Sequence, residues 1–140
     1  MQILKISKKD DCKKCIYDAI FSFLKNTGDD WNYVLPSELN DASAGKYFLL
    51  DTREPEAYKE GHIKGAINIF WLDLLENLDK LPKDKTILVI CYVGHTASQV
   101  MVVLNLLGYK AKALKFGMGK SPVVGVPIAG WLDYGYDIEK

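Results

Sequence analysis

The feature that most constrains the fold is an apolar run over residues 86–90 (TILVI), followed by a polar loop and a second apolar segment at residues 100–107. A five-residue run without polar alternation is typical of a central strand in a parallel sheet that is covered on both faces. The loop begins at Cys91, and Gly108 ends the second segment, which predicts a helix over residues 98–107. This succession of strand, loop and helix is the repeating unit of an α/β domain.

The rest of the chain repeats this alternation. Further strands are predicted over residues 32–35, 46–50, 66–69 and 112–116, and helical segments from residue 36 and over residues 54–60, 72–78 and 131–134. We therefore expect an α/β fold with a central, mostly parallel five-stranded sheet and helices on both faces. A helix predicted over residues 10–24 precedes this pattern, so residues 1–30 form a predicted helical extension and residues 31–140 the main domain. The extension either packs on the domain or serves as an arm that binds a partner.

Cys91 lies at the predicted junction of strand and helix. Backbone N–H groups at the start of a helix have no partner within the helix, and together with the helix dipole they favour an anion. A thiolate at this position can therefore act as a nucleophile, and a buried structural thiol is the alternative interpretation. Asp51 also follows a predicted strand, and ligands of open α/β sheets bind outside the carboxyl ends of the strands.

The composition limits the classes of partner. Lys plus Arg and Asp plus Glu both number 18, and this zero net charge gives no general reason to expect binding to nucleic acid or to an anionic membrane. No apolar run approaches the roughly 20 residues of a transmembrane helix. Three cysteines, an odd number, argue against a pure disulfide framework and favour a cytoplasmic protein, although export with removal of a signal peptide remains compatible with the sequence.

Three segments carry a family resemblance. Residues 50–54 (LDTRE) contain Asp-x-Arg, residues 60–68 (EGHIKGAIN) contain Gly-His-Ile-x-Gly-Ala, and residues 91–96 (CYVGHT) form a loop of the type Cys-x-x-Gly-x-Thr/Ser/Arg. In their order and spacing these motifs resemble a single-domain rhodanese over roughly residues 32–140. That family usually has a Gly-Gly pair shortly before a Trp. Here residues 120–130 separate Gly119 from Trp131, and we interpret this stretch as an insertion.

The resemblance implies a rhodanese-like (thiosulfate) sulfurtransferase that needs no cofactor. The Cys91 thiolate would take a sulfur from thiosulfate or a persulfide, and cyanide or a thiol would then remove it from the Cys91 persulfide. Successive N–H groups of the curled loop could form an anion-binding nest, in which Gly94 tolerates positive φ. Thr96 offers a hydroxyl donor and a cap for the following helix. The expected substrate contacts are Tyr92, Val93, Gly94, His95, Thr96 and Ala97.

Four other polar residues are expected to support the site. Arg53 is expected to pair with a nearby carboxylate and Asp51 to fix its loop, with a substrate clamp and a catalytic acid as the alternatives. His62 is expected to hold backbone groups near a turn, rather than to act as a catalyst or metal ligand. His95 is interpreted as an exposed loop residue or a weak substrate contact, rather than a general base.

Two further segments have open interpretations. Cys12 and Cys15 form a lone Cys-x-x-Cys without an obvious second ligand pair, so no metal site is expected. They are either ordinary helical cysteines or a redox pair that exchanges with the Cys91 persulfide. The Gly- and Pro-rich insertion, residues 121–130, is either a packed loop or a lid or docking surface.

Two other functions compete with small-molecule sulfur transfer. A carrier module would hold the Cys91 persulfide and pass it to a protein acceptor. A phosphatase of a related fold would need Cys-x5-Arg, but Ala97 stands at that position and Arg53 is the last arginine of the chain. The second and third loop residues, Tyr92 and Val93, are neutral, which weakens the expectation that thiosulfate is an efficient donor.

Overall fold

The computed structural model describes residues 8–40, 44–119 and 129–140. Among these residues, no helix combines the length and apolar character that a membrane span requires. The predicted insertion lies outside the described residues except for its last two, Ala129 and Gly130.

Five parallel strands form the central sheet. They are β1 (Tyr33–Val34), β2 (Tyr47–Asp51), β3 (Ile67–Asn68), β4 (Thr86–Ile90) and β5 (Ala111–Leu114). Their order across the sheet is β1-β5-β4-β2-β3, and every pair is parallel. The predicted sheet is therefore confirmed, with β4 at its centre. The last strand ends at Leu114 rather than at residue 116, because the chain turns there and Phe116 adopts a φ of 64°.

The helices are α1 (Lys8–Asn26), α2 (Pro36–Asn40), α3 (Pro55–Glu60) and α4 (His95–Leu106), with short 3-10 helices at Ala44–Lys46, Trp71–Asp73, Leu75–Lys80 and Trp131–Tyr134. The amphipathic helix predicted over residues 72–78 is wrong. Two 3-10 stretches replace it, and Asn77 interrupts the second with a φ of −122°. Of the leucines on which that prediction rested, Leu72 and Leu75 are exposed, and the intervening Leu74 is buried instead.

Two hydrophobic layers cover the two faces of the sheet. On one face Val89 and Leu50 pack with residues of α4, and Phe23 of α1 packs against this layer. On the other face Leu88 and Ile90 pack with a second group of buried residues: Val34, Leu39, Leu49, Ile63, Ala66, Leu114, Met118 and Trp131. The alternation of β4 side chains between both layers explains why its sequence is continuously apolar.

The helix predicted over residues 10–24 is confirmed as α1. Over residues 10–27, the half-buried side chains are Ala19, Phe23 and Thr27, whereas Ile16, Tyr17 and Leu24 are exposed. Phe23 packs α1 on the domain, which was one of the two roles expected of the extension. The division of the chain into an extension and a main domain near residue 30 stays a prediction.

Candidate active site

Cys91 directly follows β4 and its side chain is 2% exposed. The backbone N–H of Gly94 donates a hydrogen bond to the Cys91 sulfur at 3.1 Å. The loop therefore curls back over the thiol, as a nest would require. A donor aimed at the sulfur stabilises a negative charge on it more than it stabilises a neutral thiol.

Helix α4 begins immediately after this curl. Gly94 is the residue before the helix, with a φ of 95°, and its carbonyl accepts hydrogen bonds from the Ser98 N–H and hydroxyl at 3.0 and 2.7 Å. The helix thus starts at His95 rather than at residue 98, and Thr96 lies in its first turn. The expectation that Thr96 caps the helix is wrong, because no side chain caps this end. The positive end of the α4 dipole lies next to Cys91.

The back of the loop is supported by a turn after β5. The N–H of Met118 donates to the Cys91 carbonyl at 2.8 Å, and the N–H of Gly119 donates to the Tyr92 carbonyl at 3.0 Å. Gly117 lies so close that a Cβ there would be 2.9 Å from the carbonyl carbon of Tyr92, and its φ is 56°. Only glycine combines this conformation with this close approach.

The Asp51–Arg53 pair supports the loop from the β2 side. Arg53 donates from Nε to Asp51 Oδ1 at 3.0 Å and from Nη2 to Asp51 Oδ2 at 2.7 Å, with both side chains buried. Arg53 Nη2 also donates to the Gly61 carbonyl at 2.9 Å. The expected ion pair is therefore present, and the Arg53 guanidinium also lies 5.8 Å from the centroid of the Tyr92 ring. Between the two residues, Thr52 donates from its N–H and its hydroxyl to the Ile90 carbonyl, both at 2.8 Å.

Glu54 reaches the loop but was not foreseen from the sequence. The Tyr92 hydroxyl donates a hydrogen bond to the exposed Glu54 carboxylate. This bond lowers the pKa of Glu54, while burial and then the bond to Glu54 raise the pKa of Tyr92 to about 12. At neutral pH a carboxylate therefore stands beside the second loop position. Its place directly after the Asp-x-Arg motif is the only sequence signal that could have indicated it.

Two cavities adjoin different residues of the loop. The smaller, of about 70 Å³, lies at Tyr92 and Thr96 and is also lined by Arg53, Glu54 and Trp71. The larger, of about 410 Å³, lies at Val93, Gly94 and His95, and its other walls are Trp31, Tyr33, Ser98, Lys115 and Phe116. We call the larger one the aromatic cleft. Its distal walls come from β1 and the end of β5, so no local sequence signal brought them together.

The remaining predicted residues take different places. His95 is exposed at the aromatic cleft. Ala97 is fully buried in the hydrophobic core, and the expectation that it contacts substrate stays a prediction. His62 is buried away from the loop contacts described above, with Nδ1 2.9 Å from the Tyr58 carbonyl and Nε2 3.4 Å from Glu139. These contacts join α3 to the C-terminal residues, in keeping with the expected structural role.

The two other cysteines do not form part of this arrangement. Cys12 and Cys15 are exposed on α1, and both are free thiols, as is Cys91. Within the described ranges, no group of three or more His, Cys, Asp or Glu side chains is placed to hold a metal ion.

Comparisons with known proteins agree with this geometry. The rhodanese-like domain family matches residues 35–120. The tRNA sulfurtransferase of Pyrobaculum aerophilum is 37% identical over 78 residues, which are 56% of this chain and 16% of that protein. The thiosulfate sulfurtransferase PspE of Escherichia coli is 36% identical over 62 residues, 43% of this chain and 60% of PspE. The chain thus spans less than two thirds of the length of both relatives.

Among solved structures, a rhodanese-related protein from Thermoplasma volcanium superimposes with a TM-score of 0.67 and 26% identity, over 77% of this chain and 97% of that one. The family match covers the Asp51 loop, the Gly61–Ala66 motif and the Cys91 loop together. The chain therefore belongs to the rhodanese-like domain family.

Proposed function

We propose that the protein is a sulfurtransferase in which Cys91 carries the transferred sulfur. The Cys91 thiolate attacks the outer sulfur of a donor, and the bond between that sulfur and the rest of the donor breaks. With thiosulfate the leaving group is sulfite, and with a persulfide it is a thiolate. The acceptor thiolate or cyanide then attacks the outer sulfur of the Cys91 persulfide, and the electron pair of the S–S bond returns to Cys91. No oxidant or reductant is consumed.

The observation that carries this proposal is the surroundings of the Cys91 sulfur. A single buried thiol stands at the carboxyl end of the central strand, receives the Gly94 N–H and lies at the start of α4. Fixed donors of this kind stabilise the negative charge that both steps leave on sulfur. Neither step requires an acid or base among the loop side chains, because the attacking group is already an anion: the Cys91 thiolate in the first step, and a thiolate or cyanide in the second.

The charges near the loop favour a persulfide donor over thiosulfate. Thiosulfate carries two negative charges and needs cationic neighbours. Of the two cations that the described residues place near the loop, Arg53 is bound to Asp51 and the Gly61 carbonyl, and Lys115 lines the separate aromatic cleft. The group that contacts the loop side chain Tyr92 directly is the Glu54 carboxylate. PspE of Escherichia coli and GlpE of Coxiella burnetii are named thiosulfate sulfurtransferases, so thiosulfate remains the donor to compare against.

Intact mass spectrometry after incubation with each donor tests the proposal. A gain of roughly 32 Da should appear in the wild type, persist in the Cys12→Ser/Cys15→Ser double variant and vanish in Cys91→Ser. Addition of cyanide should return the original mass and release thiocyanate. Loading that survives in Cys91→Ser, or that never occurs with either donor, would sink the assignment.

A persulfide carrier is a second candidate, favoured by one surface feature. Trp71 lines the small cavity at the loop and also a neighbouring apolar groove, where Leu72 and Leu75 are 65% and 68% exposed. An apolar surface that continues from the reactive site is suited to a protein acceptor. Under this reading the protein loads sulfur but turns over slowly with cyanide. Multiple rapid turnovers with small acceptors would exclude it.

A further inference from the structure

The walls of the aromatic cleft are held in unusual backbone conformations. Trp31 has a φ of 51° and Phe116 a φ of 64°, in the left-handed region that side-chain-bearing residues rarely adopt. Both rings remain accessible, with Trp31 72% and Phe116 37% exposed. Hydrophobic burial therefore does not explain why the chain accepts these conformations. Strained backbone of this kind concentrates at ligand-binding sites.

The turn that presents Trp31 is firmly attached to the domain. The N–H of Trp31 donates to the Gly28 carbonyl at 3.0 Å, and Asp30 accepts from the Asn32 N–H at 2.9 Å. Lys112 of β5 pairs with the same Asp30 carboxylate. The indole is thus presented by a fixed turn rather than by a free chain end, which lowers the entropic cost of binding against it.

The aromatic cleft has a cationic lining residue and neutral hydrogen-bonding groups. Lys115 is its cation, and no carboxylate occurs among its described lining residues. The Tyr33 and Ser98 hydroxyls, 3.2 Å apart, supply neutral hydrogen-bonding groups. The cleft therefore suits a flat or aliphatic body that carries one anionic group.

We propose that the aromatic cleft binds the organic body of a thiol that exchanges sulfur with Cys91. This inference rests on the proposed sulfur transfer and names its substrate class. An acceptor R–S⁻ attacks the outer sulfur of the Cys91 persulfide, the S–S bond to Cys91 breaks, and R–S–S⁻ leaves with the Cys91 thiolate restored. The reverse reaction uses R–S–S⁻ as the donor, so the same cleft holds R in both directions. The small cavity at Tyr92 and Thr96 has room only for a few atoms.

Binding is tested with 4-(methylthio)benzoate, an aromatic anion whose sulfur cannot react. Titration calorimetry should show a dissociation constant that rises about tenfold in Phe116→Gly and Trp31→Gly, because each loses one ring contact. Glycine is chosen because it accepts the φ of both positions, so the fold is retained. Phe21→Ala is the matched control, since it removes a 52% exposed ring from α1. Lys115→Gln should weaken the benzoate but not the neutral benzamide analogue.

Kinetics separate this inference from the proposed function. In Phe116→Gly, kcat/KM for 4-mercaptobenzoate as acceptor should fall about tenfold, while the value for cyanide stays within about twofold. An equal fall for both acceptors would mean that Phe116 only supports the loop, and would overturn the inference. So would a benzoate titration without binding, or one unchanged by the glycine variants. If the benzoate binds as expected but Cys91 never loads sulfur, the cleft stands and the proposed function fails.

Discussion

Replacement of Gly117 by alanine should uncouple the Cys91 loop from its support. The alanine Cβ would lie 2.9 Å from the Tyr92 carbonyl carbon and closer still to the Cys91 carbonyl oxygen. An ordinary carbon–oxygen contact is roughly 3.3 Å or longer, so the loop must retreat by about 1 Å. The hydrogen bond from Met118 N–H to the Cys91 carbonyl, 2.8 Å long, would be stretched by this movement.

The expected size of the effect follows from two costs. Alanine in the left-handed region costs roughly 1–2 kcal/mol, partly offset by about 0.4–1 kcal/mol from the stiffer unfolded chain. Steric overpacking adds about 1–3 kcal/mol. The free energy of unfolding should therefore fall by about 2–4 kcal/mol, which a domain of ordinary stability survives. A nucleophile displaced by about 1 Å should lose roughly 100-fold in rate.

Gly65 provides the matched control. Its φ of 83° is also left-handed, but a Cβ there meets no atom within 4 Å. Gly65→Ala should lower the free energy of unfolding only by the cost of placing alanine in the left-handed region, about 1 kcal/mol, and should retain sulfur transfer. Urea unfolding and thiocyanate release would be measured for both variants under conditions where both are folded. Equal losses of stability, or a Gly117→Ala variant with normal activity, would refute the reasoning.

Three further predictions concern the same region. Asp51→Asn should lower the free energy of unfolding by about 3–5 kcal/mol, because Arg53 is then buried without its counter-charge. In urea denaturation, the double variant that also carries Arg53→Met should recover part of this loss. Losses of stability that simply add in the double variant would contradict this. Glu54→Gln should raise kcat/KM for thiosulfate, which carries two negative charges, more than for a persulfide R–S–S⁻, which carries one. Because the Tyr92 hydrogen bond lowers the pKa of Glu54, the stability that this bond adds should be present at neutral pH and be lost as the pH falls through that lowered pKa. The difference in Tm between wild type and Glu54→Gln should therefore shrink as the pH falls below the ordinary pKa of a glutamate, and a difference that stays constant would count against this. Deletion of residues 120–129 should leave a folded protein by circular dichroism, because the glycines that flank this segment are already in contact.

Local sequence patterns predicted most of the fold. The run TILVI is apolar at every position because β4 faces a hydrophobic layer on each side, so its place at the centre of the sheet could be inferred. The segment after Phe70 could not be inferred in the same way. Its leucine spacing fits an α-helix, but Asn77 leaves helical geometry and the buried side chain is Leu74. There tertiary packing overrides the periodic pattern.

The site was predictable only where its residues lie close in sequence. Cys91 and Gly94 belong to one loop, and the pairing of Arg53 with a nearby carboxylate could be argued from the Asp-x-Arg spacing. The start of α4 was misplaced because Gly94 in the left-handed region, rather than a hydroxyl side chain, precedes the helix. The aromatic cleft unites Trp31 with Phe116, which only the pairing of β1 with β5 brings together.

That pairing also has a consequence for the order of folding. β1 joins β5 across most of the length of the chain, with Tyr33 opposite Ala113, whereas β2 and β4 meet through a much shorter connection. Long loops close at a greater entropic cost and slow the contacts that depend on them. We therefore expect the Cys91 loop to take shape on the β2–β4 core before β1 docks at the edge. In pulse-labelled hydrogen exchange, the Ala113 amide, bonded to the Asn32 carbonyl, should become protected later than the Thr52 amide. A folding intermediate would then already hold Cys91 in its curled loop while the wall beside that loop is still open to other chains.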